Sequence, residues 1–172
     1  KAQSVITGLP NLNGLKDNDI SDADYAAFQV EAKSPRYLRI ERTKVDTIIR
    51  GKSVANNGSF QISENIQEAA WYTGSSNPGE DGVIIITGIN SYNGEKGALH
   101  NLDSLEKDDK IEIESGDGNL YTYEVESINI TSKKDSAEVL PTAQQRREGK
   151  ETLSLISIGN GDDSFVLVRA TK

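Results

Sequence analysis

One stretch constrains the fold of this chain more than any other: Gly82-Val83-Ile84-Ile85-Ile86-Thr87-Gly88-Ile89-Asn90. Val83 to Thr87 are five consecutive β-branched residues, stiff at χ1 and suited to a pleated sheet. A run that is apolar on both faces reads as a central strand buried on both sides. Pro78-Gly79 and Asp81-Gly82 supply the turn before it. Gly88 is expected to end it, letting the chain leave in a conformation that other residues resist. Strand ends of this kind often carry chemistry, because a rigid element aims the residue next in the chain. In this chain that residue is Ile89, which offers no acid, base or nucleophile.

The chain has 172 residues, enough for one domain with a real core. Its formal net charge of −8 argues against a nucleic-acid partner, since such domains carry a basic footprint. Cysteine is absent, which removes thiol nucleophiles, disulfides and thiolate metal sites. One histidine leaves no His cluster for a metal and no second imidazole for acid–base work. No cofactor and no metal are expected. No apolar run is long enough to span a bilayer. The absence of Met suggests a mature or trimmed piece, with any membrane anchor lying outside this chain.

Residues 1–20, rich in Asn, Gly, Asp and Lys, read as a flexible lead-in, and residues 21–172 as the folded domain. Ser21, followed by Asp22 and Asp24, reads as the cap of a helix of about three turns, ending before Ser34-Pro35. From Tyr37 the pattern turns to period two. Tyr37–Glu41, Val45–Ile49, Lys110–Glu114, Leu120–Ile130, Thr152–Ile158 and Phe165–Ala170 read as strands. Asp117-Gly118 is the strongest hairpin signal, with Tyr121, Tyr123 and Val125 on one face of the strand after it. Asn57-Gly58 marks another turn. Residues 131–151 read as polar loop, with a short helix around Ala143–Gly149. The pattern predicts an all-β fold with short helices, as a closed barrel or a sandwich.

Several pieces, in order, resemble one family. Ser34-Pro35-Arg36-Tyr37-Leu38-Arg39-Ile40 is similar to a P-x-x-L-x-I opening strand. Ala70-Trp71-Tyr72, then Asn77-Pro78-Gly79-Glu80-Asp81-Gly82, resembles W-Y … P-G-E-x-G. Leu99-His100-Asn101-Leu102-Asp103-Ser104-Leu105 is similar to F-x-x-L-x-x-L, and Lys107-Asp108-Asp109 to a K-x-G-D turn. Tyr121-Thr122-Tyr123-Glu124-Val125 matches Y-x-Y-x-V, and Leu153–Ile158 sits where L-T-L-x-T-C is expected. On these motifs the chain resembles the sortases, cell-surface transpeptidases of mainly Gram-positive bacteria. The resemblance implies an eight-stranded closed β-barrel with an N-terminal helix, located outside the cell and commonly held by a membrane segment. It also implies, as partner, a sorting-signal-like peptide or a surface protein.

The resemblance fails at the chemistry. Ile89 stands at the family's catalytic His, Ile158 at its nucleophilic Cys, and Phe165, on the best alignment, at its Arg; Arg169 comes too late on the last strand. Such an enzyme needs a thiolate, an acid for the leaving amine and a cation for the oxyanion. Loss of the nucleophile alone can cost on the order of a million-fold in rate. No catalytic residue is therefore assigned. The expected reading is a pseudoenzyme with a binding groove lined by Ile89, Asn90, Ser154, Ile158 and Phe165. Two alternatives stand beside it: a cysteine-independent peptidase or transpeptidase with a site rebuilt around Ser154, Ser157 or His100, and a rigid structural spacer with a closed groove. Ser157 should face away from Ile158, and Ser154, on the same face, lies roughly 13 Å from it. Asn160, Asp162 and Asp163 have oxygen donors for calcium but read better as a turn. Asp103, Glu106, Asp108 and Asp109 read as a solvated face, Leu140-Pro141-Thr142-Ala143 as loop, and Arg146-Arg147 as a solvated basic spot.

Overall fold

The computed structural model describes residues 5–172. After a short helix, α1 (Asp22–Ala27), come strands β1 (Pro35–Ile40), β2 (Val45–Lys52), β3 (Ala69–Tyr72) and β4 (Gly82–Ile89). A two-stranded hairpin comes next, β5 (Ser91–Tyr92) and β6 (Glu95–Lys96). Strands β7 (Lys110–Ser115) and β8 (Leu120–Ser132), helix α2 (Ser136–Ala143), and strands β9 (Glu151–Ile158) and β10 (Ser164–Thr171) complete the chain. Eight strands close into a barrel in the order β1-β2-β3-β4-β9-β10-β8-β7. The pairs β2–β3 and β4–β9 are parallel and the other barrel pairs antiparallel. The expected fold class is what the structure has.

Alternation along the strands separates two apolar layers. Ile84, Ile86, Leu153, Leu155, Val166 and Val168 belong to the barrel interior, with Tyr123 and Val125. Their strand neighbours Val83, Ile85, Ile156, Ile158, Phe165 and Leu167 belong to a second cluster, with Ile6, Phe60, Leu140 and Ala143. Adjacent residues of a strand point to opposite faces, so β4, β9 and β10 are covered on both sides. That is why these three strands read as near-continuous apolar runs, and why all eight residues of β4 are buried.

Gly88 does not end β4, which continues through it to Ile89, and its φ is not positive. It makes room instead: a Cβ there would lie 2.7 Å from Cγ of Leu99. The hairpin at Asp117-Gly118 is as expected, with Gly118 at φ +87° and its N–H on the Ser115 carbonyl. Helix α1 is six residues long, about half the expected length. The Ser21 hydroxyl caps it by accepting from the Asp24 N–H at 3.1 Å. Arg36 terminates it, donating to the carbonyls of Phe28 (2.7 Å) and Ala26 (3.1 Å). Tyr25 stacks on Tyr37 of β1 with ring centroids 4.3 Å apart.

Helix α2 lies earlier than the expected Ala143–Gly149 and includes Leu140–Ala143, a segment expected to be loop. Pro141 in its last turn hides it in the sequence, because proline lacks the N–H a helix interior uses. Residues 1–4 of the expected lead-in lie outside the described residues. Residues 5–20 form neither helix nor strand; they turn at Asn13-Gly14 and bridge to the β2–β3 loop at Gly8 and Lys16, with Ile6 only 1% exposed.

Parallel pairing of β2 and β3 is braced by an ion pair at its start. Arg50 donates Nε to Oε1 of Glu68 at 2.7 Å and Nη2 to Oε2 at 2.9 Å. Burial alone would raise the Glu68 pKa, but the bonds from Arg50 and the Ser63 hydroxyl outweigh it and hold it below the usual value. A carboxyl lowered by folding contributes stability above its unfolded pKa and loses it as pH falls through the folded one. Glu68→Gln should therefore flatten the acid limb of a stability–pH curve below about pH 4.5. Denaturant melts at pH 3 and pH 7 would test this: the difference between the two should be smaller in the variant than in the parent.

Candidate functional site

The ends of β4 and β9 and the start of β10 place three side chains side by side. Ile89 pairs with Ile158 in the parallel β4–β9 ladder, and Ile158 pairs with Phe165 in the antiparallel β9–β10 ladder. The three positions singled out in the sequence thus form one row across three strands. All three are buried, each 1% exposed, and Ile158 and Phe165 belong to the outer apolar cluster.

The residues expected to line a groove are Ile89, Asn90, Ser154, Ile158 and Phe165. Four of these five are buried, and only Asn90 is partly exposed. Asn90 is committed to holding the strand end: its N–H donates to the Ile158 carbonyl at 2.7 Å, and its Oδ1 accepts from the Asn101 N–H at 3.2 Å. Three packed hydrocarbon side chains bury more favourably against other apolar groups than in contact with water, at about 1.5–3 kcal/mol each. The β5–β6 hairpin is tied to the loop before β10. Asn160 donates Nδ2 to Oδ1 of Asn93 at 2.6 Å and accepts the Asn93 N–H at 2.9 Å. Gly97, after the hairpin, lies so close that a Cβ would be 2.1 Å from the Ile89 carbonyl oxygen.

The polar candidates are brought to different places. The Ser157 hydroxyl faces away from Ile158 and donates to the Leu99 carbonyl at 2.5 Å. Ser154 lies on the outer face and donates to the Ala143 carbonyl at 2.6 Å. Both nitrogens of His100 lie 2.9 Å from main-chain carbonyls, Nδ1 from Gly97 and Nε2 from Thr43. Neither Ser154 nor Ser157 meets the imidazole, so a serine–histidine arrangement, which needs base and nucleophile in hydrogen-bond reach, is not assembled.

Arg169, which the sequence singles out only as lying too late on the last strand to match the family's Arg, has a structural place. It pairs with Ser154 across β9 and β10 and is buried. Its guanidinium donates Nη1 to the Thr142 carbonyl and Nη2 to the Gln145 carbonyl at 2.8 Å. With Ser154 it therefore gathers the last carbonyls of α2, where a cation is favoured by the helix dipole. Burial first, then Arg147 nearby, hold its pKa below the ordinary arginine value. A lone arginine in an otherwise apolar outer face of β10 is the available signal.

Asp162 takes both the backbone N–H (3.0 Å) and the hydroxyl (2.9 Å) of Ser164, a local turn rather than a ligand set. Asp109 accepts from Arg42, and that bond lowers its pKa most. Arg147 pairs with Glu126. Among the described residues no group of three His, Asp or Glu side chains is placed to hold a metal ion.

A closed eight-stranded barrel with a parallel β4–β9 pair defines the class. The family model for the sortase domain matches residues 38–169. The chain belongs to the sortase family. Among solved structures it is similar to sortase C-1 from Actinomyces oris, at 17% identity over 99% of this chain and 87% of that one, with a TM-score of 0.65. Sortase A from Corynebacterium diphtheriae matches at 20% identity over 96% of this chain and 76% of that one, TM-score 0.63. A Clostridium perfringens Sortase D5 transpeptidase matches at 22% identity over 80% and 78%, TM-score 0.58. A comparison with curated proteins finds no match. No helix among the described residues is long and apolar enough to cross a membrane.

Proposed function

We propose that this chain is a non-catalytic sortase-fold domain, in which the family's reacting row has been replaced by packed hydrocarbon. It acts outside the cell as a scaffold or binding domain for a peptide or surface protein, tethered through a segment beyond this chain. One observation carries the reading: Ile89, Ile158 and Phe165 are neighbours across β4, β9 and β10, each 1% exposed. Filling the space of a desolvated polar cluster with apolar side chains of similar volume is often neutral or stabilising, which makes such a replacement physically accessible. Partner contacts then fall on the walls around the row rather than on the row itself. The spacer reading gains from the same burial. A rebuilt site around Ser154, Ser157 or His100 has no such support, since each is engaged with a different carbonyl.

Turnover is the test. The domain would be incubated for days with a panel of sorting-signal peptides and an amine acceptor, and products followed by mass spectrometry. Intact peptides are expected throughout. Cleavage or ligation that is lost on changing one residue of this chain would refute the proposal.

A further inference from the structure

Strand β8 outruns the strand that covers one of its edges. The β7 ladder covers Leu120 to Glu124, whereas β10 follows β8 from Glu124 to Ser132. Beyond Val125 one edge of β8 therefore has no strand beside it. Successive residues of an antiparallel strand aim their main-chain N–H and C=O groups to opposite sides. Val125 aims away from β10: its N–H donates to the Asp109 carbonyl at 2.9 Å, and its carbonyl accepts from the Asp108 N–H at 2.8 Å. A bulge at Glu126 resets the alternation. After it, on the β10 side, Lys133 donates its N–H to the Asp163 carbonyl at 2.7 Å. Ser127, Asn129 and Thr131 thus bond β10, while Ile128, Ile130 and the Ser132 N–H aim at the open edge. Among the described residues no main-chain bond from outside the ladder reaches Ile128 or Ile130.

The open stretch, Ser127-Ile128-Asn129-Ile130-Thr131-Ser132, has no charge, glycine or proline. Proteins ordinarily blunt a free edge with lysine, proline, a bulge or a covering segment. Here the bulge lies before the stretch and the lysines after it. Ile130 is 63% exposed, more than any other large apolar side chain among the described residues. It shares a face with Ile128, which packs on the interior cluster. The net charge of −8 opposes contact between copies of this chain in general, but the two ends of the stretch differ in sign. Before it stand Glu126 and the acidic turn Glu106-Lys107-Asp108-Asp109, which is bonded to Val125. After it stand Lys133, whose Nζ donates to the Gly159 carbonyl, and Lys134, which is exposed.

We propose that the open edge of β8 is where two copies of this chain pair, antiparallel, about a two-fold axis at Ile130. That register sets Ile130 against its own counterpart and Ile128 against Ser132 of the other copy. Each residue so matched aims main-chain groups at the edge, as hydrogen-bonded antiparallel pairs require. The two Ile130 side chains meet on one face of the joined sheet and leave water together. Lys134 of each copy comes beside Glu126 and the acidic turn of the other, so the same register joins opposite charges twice. Parallel pairing would set like ends together. A patch that meets its own copy closes at two chains and leaves no edge open for a third. Only a short run of each strand is covered, so the dimer belongs to the weak, transient class. The inference goes beyond the absence of catalysis and does not depend on it.

The test uses the full chain at rising concentration, up to millimolar, followed by sedimentation equilibrium and by hydrogen exchange of the β8 amides. In the monomer the Asn129 and Thr131 amides, bonded to β10, should exchange slowly and those of Ile128 and Ile130 rapidly. Association should slow Ile128 and Ile130 at least tenfold and leave the other two unchanged. Ile130→Lys, which sets like charges opposite each other, should weaken association at least tenfold, and Lys134→Glu at least threefold. Both side chains are exposed, so the barrel spectrum should stay that of the parent. The chain has no cysteine, so Ile130→Cys reports the register by itself. Paired Cα atoms about 5.5 Å apart lie within disulfide reach. Under mild oxidation this variant should cross-link at least tenfold faster than Leu120→Cys, which is exposed on the same strand but away from the open edge. A chain that stays monomeric at millimolar concentration, association indifferent to Ile130→Lys, or equal cross-linking by the two cysteine variants would overturn the proposal. So would protection of Ile128 and Ile130 by an unrelated strand peptide alone, which would assign the edge to a foreign strand. None of these readouts involves turnover, which bears only on the catalytic reading.

Discussion

Replacing Phe165 by alanine is expected to lower the unfolding free energy by about 3–5 kcal/mol, the usual cost of deleting a buried aromatic ring. For a chain of this size that corresponds to a fall in Tm of about 6–20 °C. The expectation rests on the position of Phe165, paired with Ile158 and 1% exposed within the outer apolar cluster. The cost combines lost transfer free energy with the cavity left behind, since strands pinned in a closed barrel relax only partly. Urea melts with an unchanged m-value would confirm it. A loss within about 0.5 kcal/mol would mark Phe165 as a surface residue of an open groove and remove the basis for a filled row.

Arg169 is expected to hold α2 rather than the barrel. Arg169→Met keeps much of the stem's packing and removes the donors to Thr142 and Gln145. Hydrogen bonds to a charged group contribute about 1.5–3 kcal/mol each, and two made by one guanidinium add to less than their sum, so their loss should weaken local docking by about 2–4 kcal/mol. Amides of α2 should then exchange about 30- to 1,000-fold faster, while those of β4 and β9 change little. Exchange equally fast in parent and variant would mean that the guanidinium carries no such role. Ser154, whose hydroxyl bonds the Ala143 carbonyl, offers a weaker form of the same experiment through Ser154→Ala.

Much of the barrel is legible in the sequence because period-two alternation and tight turns are local signals. Leu120–Val125 shows its inward face directly, and Tyr123 and Val125 do lie in the interior cluster. The run Val83–Thr87 announces a strand covered on both sides, as β4 is. Neither signal can disclose a spatial row. Ile89, Ile158 and Phe165 are far apart along the chain and apolar like their neighbours, so only the family resemblance joins them. The burial of Ile158 and Phe165 is equally invisible, because they share a cluster with Leu140 and Ala143 of α2 and with Ile6, all distant in sequence.

The remaining differences share a cause. The N-terminal segment has no apolar periodicity: Ile6, Leu9, Pro10 and Leu12 pack at irregular spacing, and main-chain bonds do much of the holding. Pro141 disguises the last turn of α2, and Gly88, which looks like a backbone device, leaves space for Leu99. Each is decided by a tertiary neighbour rather than by local propensity.

The central claim is that the row at the ends of β4 and β9 and the start of β10 is a packed interior and not a reacting or binding surface. Its most direct test is methyl NMR of Ile89 and Ile158 in the presence of a soluble paramagnetic probe. The account predicts cross-strand contacts from Ile158 to both Ile89 and the Phe165 ring, with no more broadening by the probe than Ile84 or Ile86 shows. Strong broadening of Ile89 and Ile158, with interior methyls unaffected, would show an open site and contradict it.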